Sequence, residues 1–84
     1  MNKYGPLRRY LQEQDGEHIT LSFSDVADII GDSLPKSARE HAAWWANDAT
    51  HVEAKAWMDA GYHTAFISLA SETVTFIKVF ASVA

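Results

Sequence analysis

Cysteine is absent from the 84 residues, which excludes disulfides and thiolate metal sites and fits a reducing cytoplasm. No apolar run reaches the roughly 20 residues that a membrane helix needs. Lys3, Arg8 and Arg9 stand near the start with no apolar run behind them, which argues against a secretory signal. These absences predict a cytoplasmic protein without a membrane partner. Internal repeats, low-complexity tracts and linkers are also lacking, so residues 1–84 read as one domain. Basic side chains are few, 7 against 11 acidic, for a net charge of −4. Dedicated nucleic-acid binders are usually basic, because phosphate neutralisation supplies much of their affinity. Small acidic proteins more often meet basic surfaces on other proteins. A chain of this length buries roughly 60% of its unfolded surface, leaving room for a partner or dimer contact to add stability.

What is present is an apolar pattern whose period changes along the chain. Gly5-Pro6 opens a first helix, proline standing where its missing N–H costs nothing. Leu7, Tyr10 and Leu11 recur at i, i+3 and i+4 as its buried stripe, and Asp15-Gly16 marks its stop. Over Glu17–Phe23, Ile19, Leu21 and Phe23 alternate with His18, Thr20 and Ser22, the period of a half-buried strand. Ser24 is expected to cap a short helix whose apolar face is Val26, Ile29 and Ile30, with Gly31 as its left-handed stop. Pro35 disfavours helix at Leu34 and separates this helix from the next.

The stretch Leu34–Gly61 holds all three tryptophans. Ser37 followed by Glu40, and Thr50 followed by Glu53, each read as a reciprocal capping box. They predict helices over Ala38–Ala46 and His51–Ala60, joined by Asn47-Asp48-Ala49. In the first, Ala38, His41, Ala42 and Trp45 share a side. In the second, Val52, Ala56, Trp57 and Ala60 form the core face, with His51, Ala54, Lys55 and Met58 outward. Two strands close the chain, Tyr62–Leu69 and Glu72–Phe80, joined across Ala70-Ser71 in a hairpin-length connection. Ala81–Ala84 is expected to fray.

The predicted order is α-β-α-α-α-β-β. This is an α+β domain with three to four helices and a small three-stranded antiparallel sheet. It has the element order of a winged helix-turn-helix, in which the last helix before the hairpin reads DNA. An unrelated α+β sandwich with helices on one face of the sheet satisfies the same order.

The candidate binding residues are Lys36, Ser37, Arg39, Trp44, Asn47, His51 and Lys55. On nucleic acid, Lys36 and Arg39 would meet phosphate while Asn47 or an aromatic ring met a base. Adjacent tryptophans on a helix point about 100° apart. Trp45 is therefore expected inside, with Trp44 either half covered by a neighbouring helix or exposed as an interface anchor. Asn47-Asp48 also has a structural reading, as a tight connection between helices. His41, His51 and Asp48 can be drawn as a metal site, but the histidines lack a spacing that puts two ligands on one helix face. No metal or cofactor is expected. Glycine-rich phosphate loops, a nucleophile elbow and paired carboxylates on one face are all missing, so an enzyme is not expected.

The pattern LP-x-SAR-x-H-x-x-WW-x-ND, then H-x-x-A-x-AW-x-x-AG and a final TVTF strand, resembles a small domain family of bacteria and their phages. The resemblance covers nearly the whole chain, and its specific part is SAR…WW-x-ND. It implies a winged-helix-like domain that occurs near restriction or phage-defence functions. Two functions are expected on these grounds. The first is a non-enzymatic winged-helix-like domain binding DNA through residues 36–55, with the hairpin as wing and Lys78 near its base. The second is a small acidic module that binds a protein of a host defence complex, of the restriction or CRISPR type, through Trp44, Met58 and neighbouring acids. A homodimer through the same aromatic patch is a third outcome.

Overall fold

The computed structural model describes residues 2–79. The elements in order are α1 (Gly5–Gln12), β1 (His18–Ser22), α2 (Phe23–Ile30), α3 (Lys36–Glu40), a 3-10 turn (Ala42–Trp45), α4 (Val52–Asp59), β2 (Tyr62–Ser68) and β3 (Thr73–Lys78). The fold is α+β, four helices with a three-stranded antiparallel sheet ordered β1-β3-β2. The expected strand end at Phe80 and the segment Ala81–Ala84 lie outside the described residues.

Why these elements form is visible locally. Leu7 and Leu11, one turn apart, are buried on α1, with Tyr10 half-buried beside them. The cap of α2 is Ser22, two residues earlier than the expected Ser24. The Ser22 hydroxyl accepts from the Asp25 N–H at 2.9 Å, and the Asp25 carboxylate accepts from the Ser22 N–H at 3.0 Å. Aspartate thus closes the box normally built with glutamate, and β1 runs straight into α2. Gly31 ends α2 at φ 71°, the left-handed stop that its position predicts.

The central block departs from two capped helices. Ser37 caps nothing. The residue before α3 is Pro35, and Glu40 instead faces Lys36 at 3.8 Å. After five residues His41 turns extended (φ −133°, ψ 115°), and the chain re-enters a tight 3-10 turn. The reason lies in the paired indoles. Trp45 drops into the core at 0% exposure and its Nε1–H donates to the Ala38 carbonyl at 2.8 Å. That is the carbonyl which a continuing helix would offer to the Ala42 amide. Breaking the helix there lets both tryptophans join one aromatic cluster. Thr50 caps nothing either. Its N–H and hydroxyl both donate to the Asp48 carboxylate, at 3.0 and 2.7 Å, and α4 begins at Val52 without a side-chain cap.

The faces of α4 differ from the expected set. Glu53, Ala54, Ala56 and Trp57 are inward, whereas Val52 is exposed. Phe23, Trp45 and Trp57 then stack in a column, with centroids 4.9 and 6.0 Å apart, and Phe76 continues it from β3 at 5.7 Å. Each such aromatic contact adds about 0.5–1.5 kcal/mol beyond the area buried. The column ties α2, the 3-10 turn, α4 and the sheet together, with Leu21, Tyr62 and Val74 filling in around it.

The hairpin carries one irregularity. Thr64 pairs with Phe76, but Phe66 pairs with Thr75, so Ala65 is an extra residue in β2. The bulge reverses the strand's alternation. Tyr62 and Thr64 point inward, Ile67 takes the place opposite buried Val74, and Phe66 is turned out at 69% exposure. Phe66 does not share a side with Tyr62, as simple alternation predicts.

Candidate recognition surface

The structure distributes the seven candidate binding residues among different tasks. Lys36, Ser37 and Arg39 are exposed on α3. Lys36 has Glu40 at 3.8 Å, whereas no carboxylate lies within 4.0 Å of Arg39 among the described residues. His51 is exposed between two acids, its Nε2 3.7 Å from Asp48 and its Nδ1 4.0 Å from Glu53. Hydrogen bonds from the Thr50 side chain and backbone, with His51 adding charge, hold the Asp48 carboxyl below its ordinary range. Lys55, on α4, meets Asp59 at 3.2 Å and faces a groove of about 140 Å³ shared with Arg8 of α1.

Asn47 belongs to the scaffold. Its Oδ1 accepts from Trp57 Nε1–H at 2.9 Å and from the Thr64 N–H at 2.9 Å, and its Nδ2 donates to the Thr64 carbonyl at 3.0 Å. An indole N–H only donates, so the oxygen must face Trp57 and the amide has one orientation. The Thr64 hydroxyl donates to the Trp45 carbonyl at 2.6 Å. The side chain of Asn47 therefore serves β2 as a further peptide would, covering the edge of the sheet beside the bulge. Although the residue is exposed, both ends of its amide are engaged. Asn47 drops out of the set that could read a base.

Trp44 is the half-buried member of the pair. It stands edge-on to Trp45 at 4.6 Å and to Tyr4 at 6.0 Å, and lies 6.4 Å from Trp57. This is the half-covered arrangement, with part of the ring left at the surface. Tyr4 as a neighbour of this ring, and Glu53 as an inward-facing acid of α4, were not legible. Tyr4 is buried at 7% exposure, and its hydroxyl is pushed above the ordinary range by burial, then by the charges of Glu53 and Asp32. The signal for Glu53 points elsewhere in the sequence, because a glutamate three residues after a threonine reads as a cap. His41 and His51 do not converge with Asp48 on a metal geometry; among the described residues, no group of three or more His, Cys, Asp or Glu side chains does.

Four helices with a three-stranded antiparallel sheet define a small α+β domain. The chain belongs to the family described as Domain of unknown function (DUF7662), whose model matches residues 4–79. Neither a curated protein nor a solved structure matches the chain.

Proposed function

We propose that this chain is a non-enzymatic, winged-helix-like recognition domain whose target is a basic surface of another protein. One observation carries the choice of target. The helical block and hairpin that would meet DNA, residues 36–78, hold four basic side chains, Lys36, Arg39, Lys55 and Lys78, against five carboxylates, Glu40, Asp48, Glu53, Asp59 and Glu72. Lys55 is paired with Asp59, and Lys78 lies 5.8 Å over the Tyr62 ring at the hairpin base. The hairpin tip ends in Glu72 rather than a cation. DNA affinity needs several cations free to meet phosphates, and this surface offers few. Its apolar side chains point to protein instead, with Phe66 at 69% and Val52 at 58% exposure. The family resemblance makes a component of a bacterial defence complex the partner to look for first.

A second reading, DNA bound through α3, is favoured by Arg39, which is exposed and has no carboxylate partner among the described residues. Fluorescence anisotropy at low salt separates the two. The protein reading predicts salt-sensitive binding of a fluorescent arginine-rich peptide and no saturable binding of a duplex. Duplex binding that is lost in Lys36→Ala and Arg39→Ala would establish the second reading.

A further inference from the structure

Helices α1 and α4 pack against each other and leave a cavity of about 140 Å³, lined by Asn2, Gly5, Arg8, Lys55, Ala56 and Asp59. Arg8 comes from α1 and Lys55 from α4, so two cations on separate elements share one small space. Lys55 is held to Asp59, one turn further on, at 3.2 Å. Arg8 has no carboxylate within 4.0 Å among the described residues, and one turn after it stands Gln12 rather than an acid. The cavity wall therefore carries two positive charges against one negative, in a chain whose total is −4.

The uncharged lining adds a donor and open space. Asn2 Oδ1 accepts from the Tyr4 N–H at 2.9 Å, and because a backbone N–H only donates, the amide has one orientation. Its Nδ2–H groups have no acceptor among the described residues. Gly5 is required neither by a positive φ nor by a close neighbour, since a Cβ there would meet nothing within 4 Å. Alanine would serve the helix better; glycine leaves the cavity wall bare. The first amides of α1 are already used within the chain. Gly5 N–H donates to the Asn2 carbonyl at 3.1 Å, and Leu7 and Arg8 N–H donate to the Tyr4 carbonyl at 3.1 and 3.2 Å. The groups left for a ligand are side chains, not the helix end.

We propose that this cavity binds a single carboxylate group, with Arg8 as its forked partner and Lys55 and Asn2 as further donors. A planar guanidinium matches the two oxygens of a carboxylate. One monoanion balances the net charge of the wall, whereas a phosphate dianion would press uncompensated charge on Asp59. The volume admits a group of several heavy atoms, such as the end of an acidic side chain or a C-terminal carboxylate. The site goes beyond the reading of the domain's target and does not depend on it.

The test is an NMR titration of the full ¹⁵N-labelled chain at low salt with N-acetylglycine, which ends in a free carboxylate. N-acetylaspartate α-amide, uncharged N-acetylglycinamide and inorganic phosphate run in parallel. Carboxylate is expected to shift the Gly5, Arg8, Lys55 and Ala56 amides saturably, in the roughly millimolar range, and the uncharged amide is not. The tighter of the two carboxylates tells a C-terminal source from a side-chain one. Arg8→Gln and Lys55→Gln change exposed positions and, with folding checked by thermal unfolding, each weakens binding about tenfold. Asp59→Asn removes the opposing charge and tightens it several-fold, which a merely structural role would not do. No saturable shift, an equal response to the uncharged amide, shifts spread equally to Arg39 and Lys78, or full binding by Arg8→Gln overturns the proposal. Weakening by Asp59→Asn overturns it as well. Phosphate bound as tightly as carboxylate overturns the choice of carboxylate.

Discussion

Replacing Asn47 with alanine tests the scaffold directly. The substitution removes the acceptor for Trp57 Nε1–H and for the Thr64 N–H, and the donor to the Thr64 carbonyl. A buried donor left without an acceptor costs about 1–3 kcal/mol, and each ordinary hydrogen bond lost costs about 1 kcal/mol. Thr64 lies on the sheet edge, where water can take over part of the role, whereas Trp57 is at 0% exposure. We therefore expect a loss of about 2–4 kcal/mol, a large share of the roughly 5–15 kcal/mol that stabilises a domain. For a chain of this size that lowers the unfolding midpoint by about 8 °C or more. Urea unfolding followed by tryptophan fluorescence measures the loss. A double-mutant cycle with Trp57→Phe should return a coupling of about 1 kcal/mol or more. A loss below about 0.5 kcal/mol, the range of ordinary surface substitutions, would refute the bridging role.

Two further outcomes follow from the same structure. Glu72 holds φ 53° at the hairpin turn, a conformation costing a non-glycine residue roughly 1–2 kcal/mol. Glu72→Gly is expected to raise stability by up to about 1 kcal/mol after glycine's larger entropy loss, measured by thermal or urea unfolding. Tyr62 donates its hydroxyl proton to the Gly16 carbonyl at 2.8 Å, and burial, then Asp15, pushes its ionisation above the ordinary 10.0. Tyr4 is shifted the same way. Groups whose folded pKa is raised contribute stability that is complete below pH 10 and is lost as pH rises through the folded value. Stability should therefore fall in alkali, and Tyr62→Phe should flatten that fall while lowering stability at neutral pH. An unfolding midpoint equally steep in alkali for both proteins would contradict this.

The parts of the fold that follow hydrophobic period were legible in the sequence. Leu7 and Leu11 on α1, Leu21 on β1, and Val74 and Phe76 on β3 all face inward as their spacing requires. The central block was less legible because two local signals competed with tertiary contacts. Ser37–Glu40 and Thr50–Glu53 match the capping pattern, yet the Trp45 indole takes the Ala38 carbonyl and Asp48 takes Thr50. Propensity is a weak guide where a large side chain must reach the core. The Ala65 bulge leaves no mark on an alternating pattern, so the outward turn of Phe66 could not be read. Of the candidate binding residues, Lys36 and Arg39 were recognisable as surface cations from type alone. The structural duty of Asn47 depends on Trp57 and Thr64, ten and seventeen positions away.

The account stands or falls on what this acidic surface prefers to bind. The most direct measurement is a pair of anisotropy titrations of the same preparation at low salt, one with an arginine-rich peptide and one with a DNA duplex. We expect the peptide to saturate and to weaken as salt is raised, and the duplex to remain unbound. Saturable duplex binding with no response to the peptide would contradict it.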